Sequence, residues 1–279
     1  MGRKNRIQYY GAIYYINQRG KEGDRPFFKD EDKAYLLELI NEAKENKDFK
    51  IFAYVIMDNC YQLLLQTLNI PISSVMHYVN FKYANYYNKK LNRTGPVFQK
   101  RYKSILVQDE RFILPIIKYI HRYPVEIGLC ATMEEYKWSS DAFYRVNMES
   151  VVNIEQVLSM FSPNRLEAIE KYIEYMEKEE KNWEFIKHMC ENSFIIGTGE
   201  FIRRMEGKNR TSLEVLLRKS CPTEAEFKLI KKGSRERYLT KYKVEYISLG
   251  RREGYTYKEI GEYIGITGAA ARGLLMQNK

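Results

Sequence analysis

Hydrophobic positions in the first half of the chain change period repeatedly. Ala12 to Gln18 (AIYYINQ) is rich in β-branched and aromatic residues and predicts a strand, followed by a loop rich in glycine and charge. Asp30 then reads as the N-cap of a helix carried by Leu36, Leu37, Leu39, Ile40 and Ala43. Two apolar runs, Lys50 to Met57 and Tyr61 to Thr67, flank Asp58 and Asn59 and predict strand, turn, strand. A helical stretch from Ile72 to Leu91, a Gly95-Pro96 break, a strand over Tyr102 to Gln108 and a helix from Asp109 to Tyr123 complete the series. Without its last helix, the order strand, helix, strand, strand, helix, strand is the split βαβ arrangement. The predicted fold class is α+β, a ferredoxin-like antiparallel sheet with helices on one face.

The pattern then becomes helical throughout. Leu166, Ile169, Ile173 and Met176 recur at helical spacing in an acidic stretch, the expected apolar stripe of a helix covering part of a core. Near the C-terminus, Tyr238 to Arg252 predicts a helix. Thr256 and Glu259 have capping-box spacing, Gly265 ends the helix they begin, and Thr267 caps a last helix running through Met276. Short helix, glycine turn, helix in a basic context is a helix-turn-helix pattern. Three segments follow: an α+β domain at 1–150, a helical connector at 151–235 and a helix-turn-helix module at 236–279.

Charge sharpens that division. The whole chain of 279 residues carries +10, with 46 Lys and Arg against 36 Asp and Glu. The net charge is +6 over 1–150, −5 over 151–200 and +9 over 201–279. Basic modules with 24 Tyr and 13 Phe suit a phosphate-bearing partner with bases to stack on. The segment from Lys82 to Arg122 is densest in Lys and Arg, opposed only by Asp109 and Glu110 and interleaved with Tyr83, Tyr86, Tyr87, Phe98, Tyr102 and Tyr119. Arg93, Lys100, Arg101, Lys103, Lys118 and Arg122 are its candidate DNA contacts, and Arg272 is the internal basic side chain of the last helix. The alternative for these aromatics is a core role.

Several function classes are excluded. The longest apolar run, Ile51 to Met57, is far short of the ~20 residues of a membrane span, and the basic start lacks the apolar stretch of a signal peptide, so the expected location is cytoplasmic. Cys60, Cys130, Cys190 and Cys221 form no C-x-x-C pair and read as buried free thiols in a reducing compartment.

Four ordered motifs carry a resemblance: Met57-Asp58-Asn59-Cys60-Tyr61-Gln62-Leu63-Leu64, Gly95-Pro96-Val97-Phe98-Gln99-Lys100-Arg101-Tyr102-Lys103, Tyr119-Ile120-His121-Arg122-Tyr123-Pro124-Val125 and Tyr136-Lys137-Trp138-Ser139-Ser140. Over residues 7–145 the chain resembles the REP-associated tyrosine transposases, members of the single-tyrosine HUH transposase superfamily. From Phe194 onward it resembles, more weakly, an extension ending in a helix-turn-helix similar to that of the replication initiator DnaA. The resemblance implies a HUH-type transposase domain acting on hairpin or single-stranded DNA in DNA transposition and recombination. It also implies two metal-binding histidines on a central strand and a tyrosine nucleophile on the following helix. The metal, magnesium or manganese, polarises the phosphate that the tyrosine attacks to give a 5′-phosphotyrosine. Superfamily members act as monomers or dimers, which leaves a homodimer open.

Tyr119 falls on the nucleophile position, but Cys60 and Gln62 stand at the histidine positions and Tyr123 at the metal-binding amide position. A lone thiol and a neutral amide are weak ligands for a hard divalent ion. His121 lies two residues past Tyr119, about 200° around the helix, and neither His77 nor His188 sits in a motif. The expectation is a DNA-binding, transposase-like protein with a degenerate metal site and little or no strand transfer. An active tyrosine transposase or nickase is one alternative, and a transcriptional repressor or RNA-binding module is another.

Overall fold

A computed structural model describes residues 7–9, 11–68, 70–207 and 210–277. The chain divides into two compact units, Ala12–Ile196, and Gly197–Lys279 with Met1–Gly11.

The first unit follows the alternating pattern: β1 (Ile13–Arg19), α1 (Asp30–Asn46), β2 (Phe49–Ile56), β3 (Cys60–Thr67), α2 (Ile72–Lys90), β4 (Lys103–Val107) and α3 (Glu110–Glu126). Then come α4 (Asp141–Arg145), α5 (Ile154–Leu158), α6 (Arg165–Glu177), α7 (Trp183–Asn192) and the two-residue β5 (Ile195–Ile196). The sheet order is β2-β3-β1-β4-β5. Its first four strands are antiparallel neighbours in the ferredoxin-like order, so the fold is α+β as expected. β5 pairs parallel with β4, which makes the whole sheet mixed rather than antiparallel. No pattern in a two-residue strand could announce that edge.

Side chains alternate across β1. Gln18 reaches α2, accepting from Asn80 at 3.1 Å, whereas Tyr15 and Arg19 meet Tyr119 and Tyr123 of α3. Helices therefore cover both faces, α2 on one and α3 on the other. α3 also runs past Pro124 to Glu126, beyond the expected end at Tyr123. One proline removes a single backbone donor, and here its ring is buried, so packing offsets the loss.

Two local expectations need correction. Asp30 is the first helical residue, not the cap, which is Lys29 without a side-chain bond. The Asp30 carboxylate instead accepts from Lys137 Nζ at 3.0 Å and Trp138 Nε1 at 2.7 Å, and these bonds hold it below the usual carboxylate range. On α6, the buried stripe is Ala168, Tyr172 and Met176, while Leu166 is 73% exposed. The Tyr172 hydroxyl donates to Asp141 at 2.7 Å, and this buried bond fixes which face turns inward.

In the second unit, α8 (Gly199–Met205), α9 (Leu213–Ser220), α10 (Glu224–Lys231), α11 (Thr240–Arg252), α12 (Tyr257–Tyr263) and α13 (Gly268–Gln277) follow in order. Leu217, Ile230, Tyr246, Ile247, Ile260 and Leu275 belong to one core, so α11 to α13 share their interior with α9 and α10. The segment 151–235 is divided between the two units, its α5 to α7 in the first and its α8 to α10 in the second. Thr256 and Glu259 form the capping box, with Thr256 N donating to Glu259 Oε2 at 2.6 Å and Glu259 N to Thr256 Oγ1 at 3.1 Å. Gly265 ends α12 at φ +69°, a left-handed position that suits glycine.

Candidate functional site

The strand register places the motif residues on one face of the sheet. Arg19 pairs with Cys60, Asn17 with Gln62 and Tyr15 with Leu64 across β1 and β3, and Asn17 pairs with Lys103 across β1 and β4. Directly paired residues point to the same side, so Cys60 and Gln62 share a face with Tyr15 and Arg19. α3 crosses this face with Tyr119 and Tyr123 one turn apart. The four residues singled out for the metal and the nucleophile are thus brought together.

Their surroundings are not those of a metal centre. Gln62 is fully buried, its Oε1 accepts from the Tyr15 hydroxyl at 3.0 Å, and its Nε2 has no hydrogen-bond partner among the described residues. Its oxygen is engaged, and the free end is a donor. Burial pushes the Cys60 thiol up to about 11, so it stays protonated at neutral pH. The Tyr123 hydroxyl accepts from the Arg19 guanidinium at 3.3 Å. Among the described residues no cluster of three His, Cys, Asp or Glu could hold a metal. A neutral thiol, an engaged amide and a phenol next to a fixed cation do not fit magnesium or manganese.

Tyr119 is 1% exposed. Its ring stands edge-on to Tyr15 at 6.0 Å, lies 5.7 Å from Tyr123 and is covered by Trp183 of α7 at 5.7 Å. Burial, with the acidic groups of Cys190, Tyr123 and Glu191 beside it, raises its hydroxyl well above the ordinary phenol range. A phenol so placed is a poor nucleophile at neutral pH.

The basic candidates separate into three groups. Lys118 is buried, its Nζ donating to the carbonyls of Tyr175 at 2.7 Å and Lys178 at 2.5 Å at the end of α6. Lys103 does the same for α7 through the carbonyls of Cys190, at 3.3 Å, and Glu191. Both lysines complement helix C-termini, where carbonyls lack partners and the dipole favours a cation. Arg93 bonds Asp24 at 3.0 Å and stacks on Tyr87, and Arg122 bonds Glu126 at 3.0 Å and stacks on Trp183. Lys100, Arg101 and Arg272 are exposed, and their side chains make no hydrogen bond or ion pair among the described residues.

The interleaved aromatics serve mostly the interior. Tyr83 is buried, donates to the Pro26 carbonyl at 2.6 Å and packs on Phe27 and Phe98. Tyr87, Tyr102 and Tyr119 are buried as well. Cys60 and Cys190 are buried thiols, but Cys130 and Cys221 are only partly covered.

His121 points away from Tyr119, as its helical offset requires. It is held between Ser140 Oγ at 2.7 Å and the Tyr172 hydroxyl at 3.0 Å, next to Asp141. Desolvation lowers its pKa to about 4 despite that carboxylate, so it is neutral at pH 7. Ser140 also accepts from Tyr54 N at 2.9 Å, so this motif ties the loop to β2.

Arg19, Tyr15 and Trp183 carry no motif, and the sequence pattern does not single them out. The period of β1 places Arg19 four residues, hence one face, from Tyr15, and that is the only signal for it along the chain. Nothing in the sequence announces Trp183.

The unit is thus a ferredoxin-like sheet with a tyrosine-bearing helix across the face of its central strands. Residues 14–123 match the family model of the IS200-like transposases. Among solved structures the chain is similar to a REP-associated tyrosine transposase bound to a REP hairpin, at 14% identity and a TM-score of 0.46, over 54% of this chain and 90% of that one. No curated protein sequence matches it. No helix among the described residues is long and apolar enough to cross a membrane.

Proposed function

We propose that the protein is a transposase-derived DNA-binding protein that holds hairpin or single-stranded DNA without cutting it. The state of Tyr119 carries this reading: the side chain at the nucleophile position is sealed between Tyr15 and Trp183, with its hydroxyl held protonated. The donors at the HUH positions favour the same conclusion, because Gln62 is engaged by Tyr15 and Cys60 stays a neutral thiol. Exposed, unpaired Lys100 and Arg101 supply charge for backbone phosphates. Lys103 and Lys118 are left out of this interface, since both are engaged at helix ends. In the second unit, α12 and α13 form a helix-turn-helix that adds duplex contacts through Arg272.

The test is incubation of labelled hairpin DNA with the protein and manganese. Salt-sensitive binding without a covalent adduct is the expected result. An adduct that Tyr119→Phe abolishes would instead establish an active tyrosine transposase or nickase.

A further inference from the structure

We propose that the Arg19 guanidinium takes the place of a divalent metal in this domain and binds one backbone phosphate of the DNA, making recognition metal-independent. This rests on the hairpin or single-strand reading above.

The argument begins with charge. The face shared by Arg19, Cys60, Gln62 and Tyr123 offers hydrogen-bond donors and a cation where a metal site needs anionic or carbonyl donors. Arg19 is exposed, and its side chain makes one hydrogen bond among the described residues, to Tyr123 at 3.3 Å. A guanidinium has five N–H donors in a planar fork, so one bond to a phenol leaves the geometry that phosphate accepts. Gln62 adds a buried Nε2 with no partner among the described residues, two residues along β3 from the partner of Arg19. An unpaired buried donor costs free energy that an anionic ligand or water would recover.

The position is also fixed. The Arg19 carbonyl accepts from Gln99 N at 3.2 Å, and Gln18 Nε2 donates to both the Arg19 and Lys100 carbonyls at 3.1 Å. These bonds join the end of β1 to the loop that carries Lys100 and Arg101. The backbone of Arg19 is therefore held next to the loop that carries two exposed, unpaired cations, while its guanidinium meets Tyr123 on the face that α3 crosses. The exposed Glu191 carboxylate acts on Tyr119 and Tyr123 from α7, and the Arg19 guanidinium is the cation that offsets it for an incoming anion.

The experiment measures affinity of the full chain for a labelled hairpin in which single phosphates are replaced one at a time by neutral methylphosphonates, with EDTA or with magnesium. Wild-type protein should bind equally in both buffers, and one linkage should cost about tenfold or more when neutralised. In Arg19→Gln that linkage should lose its special cost, while Lys100→Gln/Arg101→Gln should weaken binding yet keep it. Thermal melts of each variant exclude misfolding as the cause. If wild type binds the hairpin and Arg19→Gln gives the same profile at every linkage, the Arg19 assignment is overturned and DNA binding stands. Loss of binding in EDTA overturns it in favour of a metal. No binding by wild type under any condition overturns the DNA reading and this inference with it.

Discussion

Arg19 and Tyr123 meet across β1 and α3, the guanidinium donating to the phenol oxygen at 3.3 Å. One lies at the end of a strand and the other in the last turn of a helix, and both positions are set by elements that the sequence pattern announces. The pair puts a fixed cation beside Cys60 and Gln62, on the face that α3 crosses.

Metal binding should follow from that exchange. Isothermal titration of wild type with manganese should show no heat of binding at the site. Replacing Cys60→His, Gln62→His and Tyr123→Asn restores imidazole and amide donors. Binding should become measurable, and stronger when Arg19→Gln also removes the competing positive charge. Tight manganese binding by wild type would contradict the donor chemistry described above.

Tyr119→Phe should leave hairpin affinity within about twofold, because a side chain buried under Trp183 is not positioned to touch DNA. Neither wild type nor variant should form an adduct, which denaturing gel electrophoresis of labelled DNA reads directly.

Lys118 and the pair Lys100 and Arg101 should behave oppositely. Lys118→Ala leaves two carbonyls at the end of α6 without their donor, and should lower stability by about 1–3 kcal/mol while the salt slope of DNA binding stays the same. Lys100→Gln with Arg101→Gln should leave the melting temperature alone and flatten the slope by about 0.9 for each phosphate no longer neutralised. Melting curves and binding isotherms at several salt concentrations separate the two.

Stability should fall in mild acid because of His121. Its folded pKa, about 4, lies below the unfolded value of about 6.5, so between those limits the unfolded chain binds more protons. Stability is therefore lost as pH falls from 6.5 toward 4, by an amount of order 3 kcal/mol, and is level in this respect above 6.5. Denaturant titrations should show that slope, and His121→Asn should reduce it.

Truncation should expose the shared core of the second unit. Cutting after residue 235 removes Tyr246, Ile247, Ile260 and Leu275 from Leu217 and Ile230, leaving apolar surface uncovered. The fragment ending at 235 should bind hydrophobic dye, whereas one ending at 196 should not. Both should lose duplex affinity if α12 and α13 contribute it.

The sequence by itself determined the elements and much of the topology. Runs rich in β-branched, aromatic and apolar residues predicted β1 to β4 within a residue or two, and the capping box at Thr256 and Glu259 formed as its spacing required, because caps and strand preference depend on neighbours close along the chain. Cys60, Gln62, Tyr119 and Tyr123 were singled out by the resemblance, and local periods put Cys60 with Gln62 on one face of a strand and Tyr119 with Tyr123 one turn apart on a helix. Only the tertiary structure decided which charges were free. Lys100 and Lys118 look alike in the sequence, yet one is exposed and the other is buried against α6, 57 residues away at Tyr175. The sealing of Tyr119 by Trp183 and the pairing of β5 with β4 are likewise contacts between distant segments. Arg19 belongs to the same class: its period assigned it a face, but its role depends on meeting Tyr123 from 104 residues along the chain, which packing alone fixes.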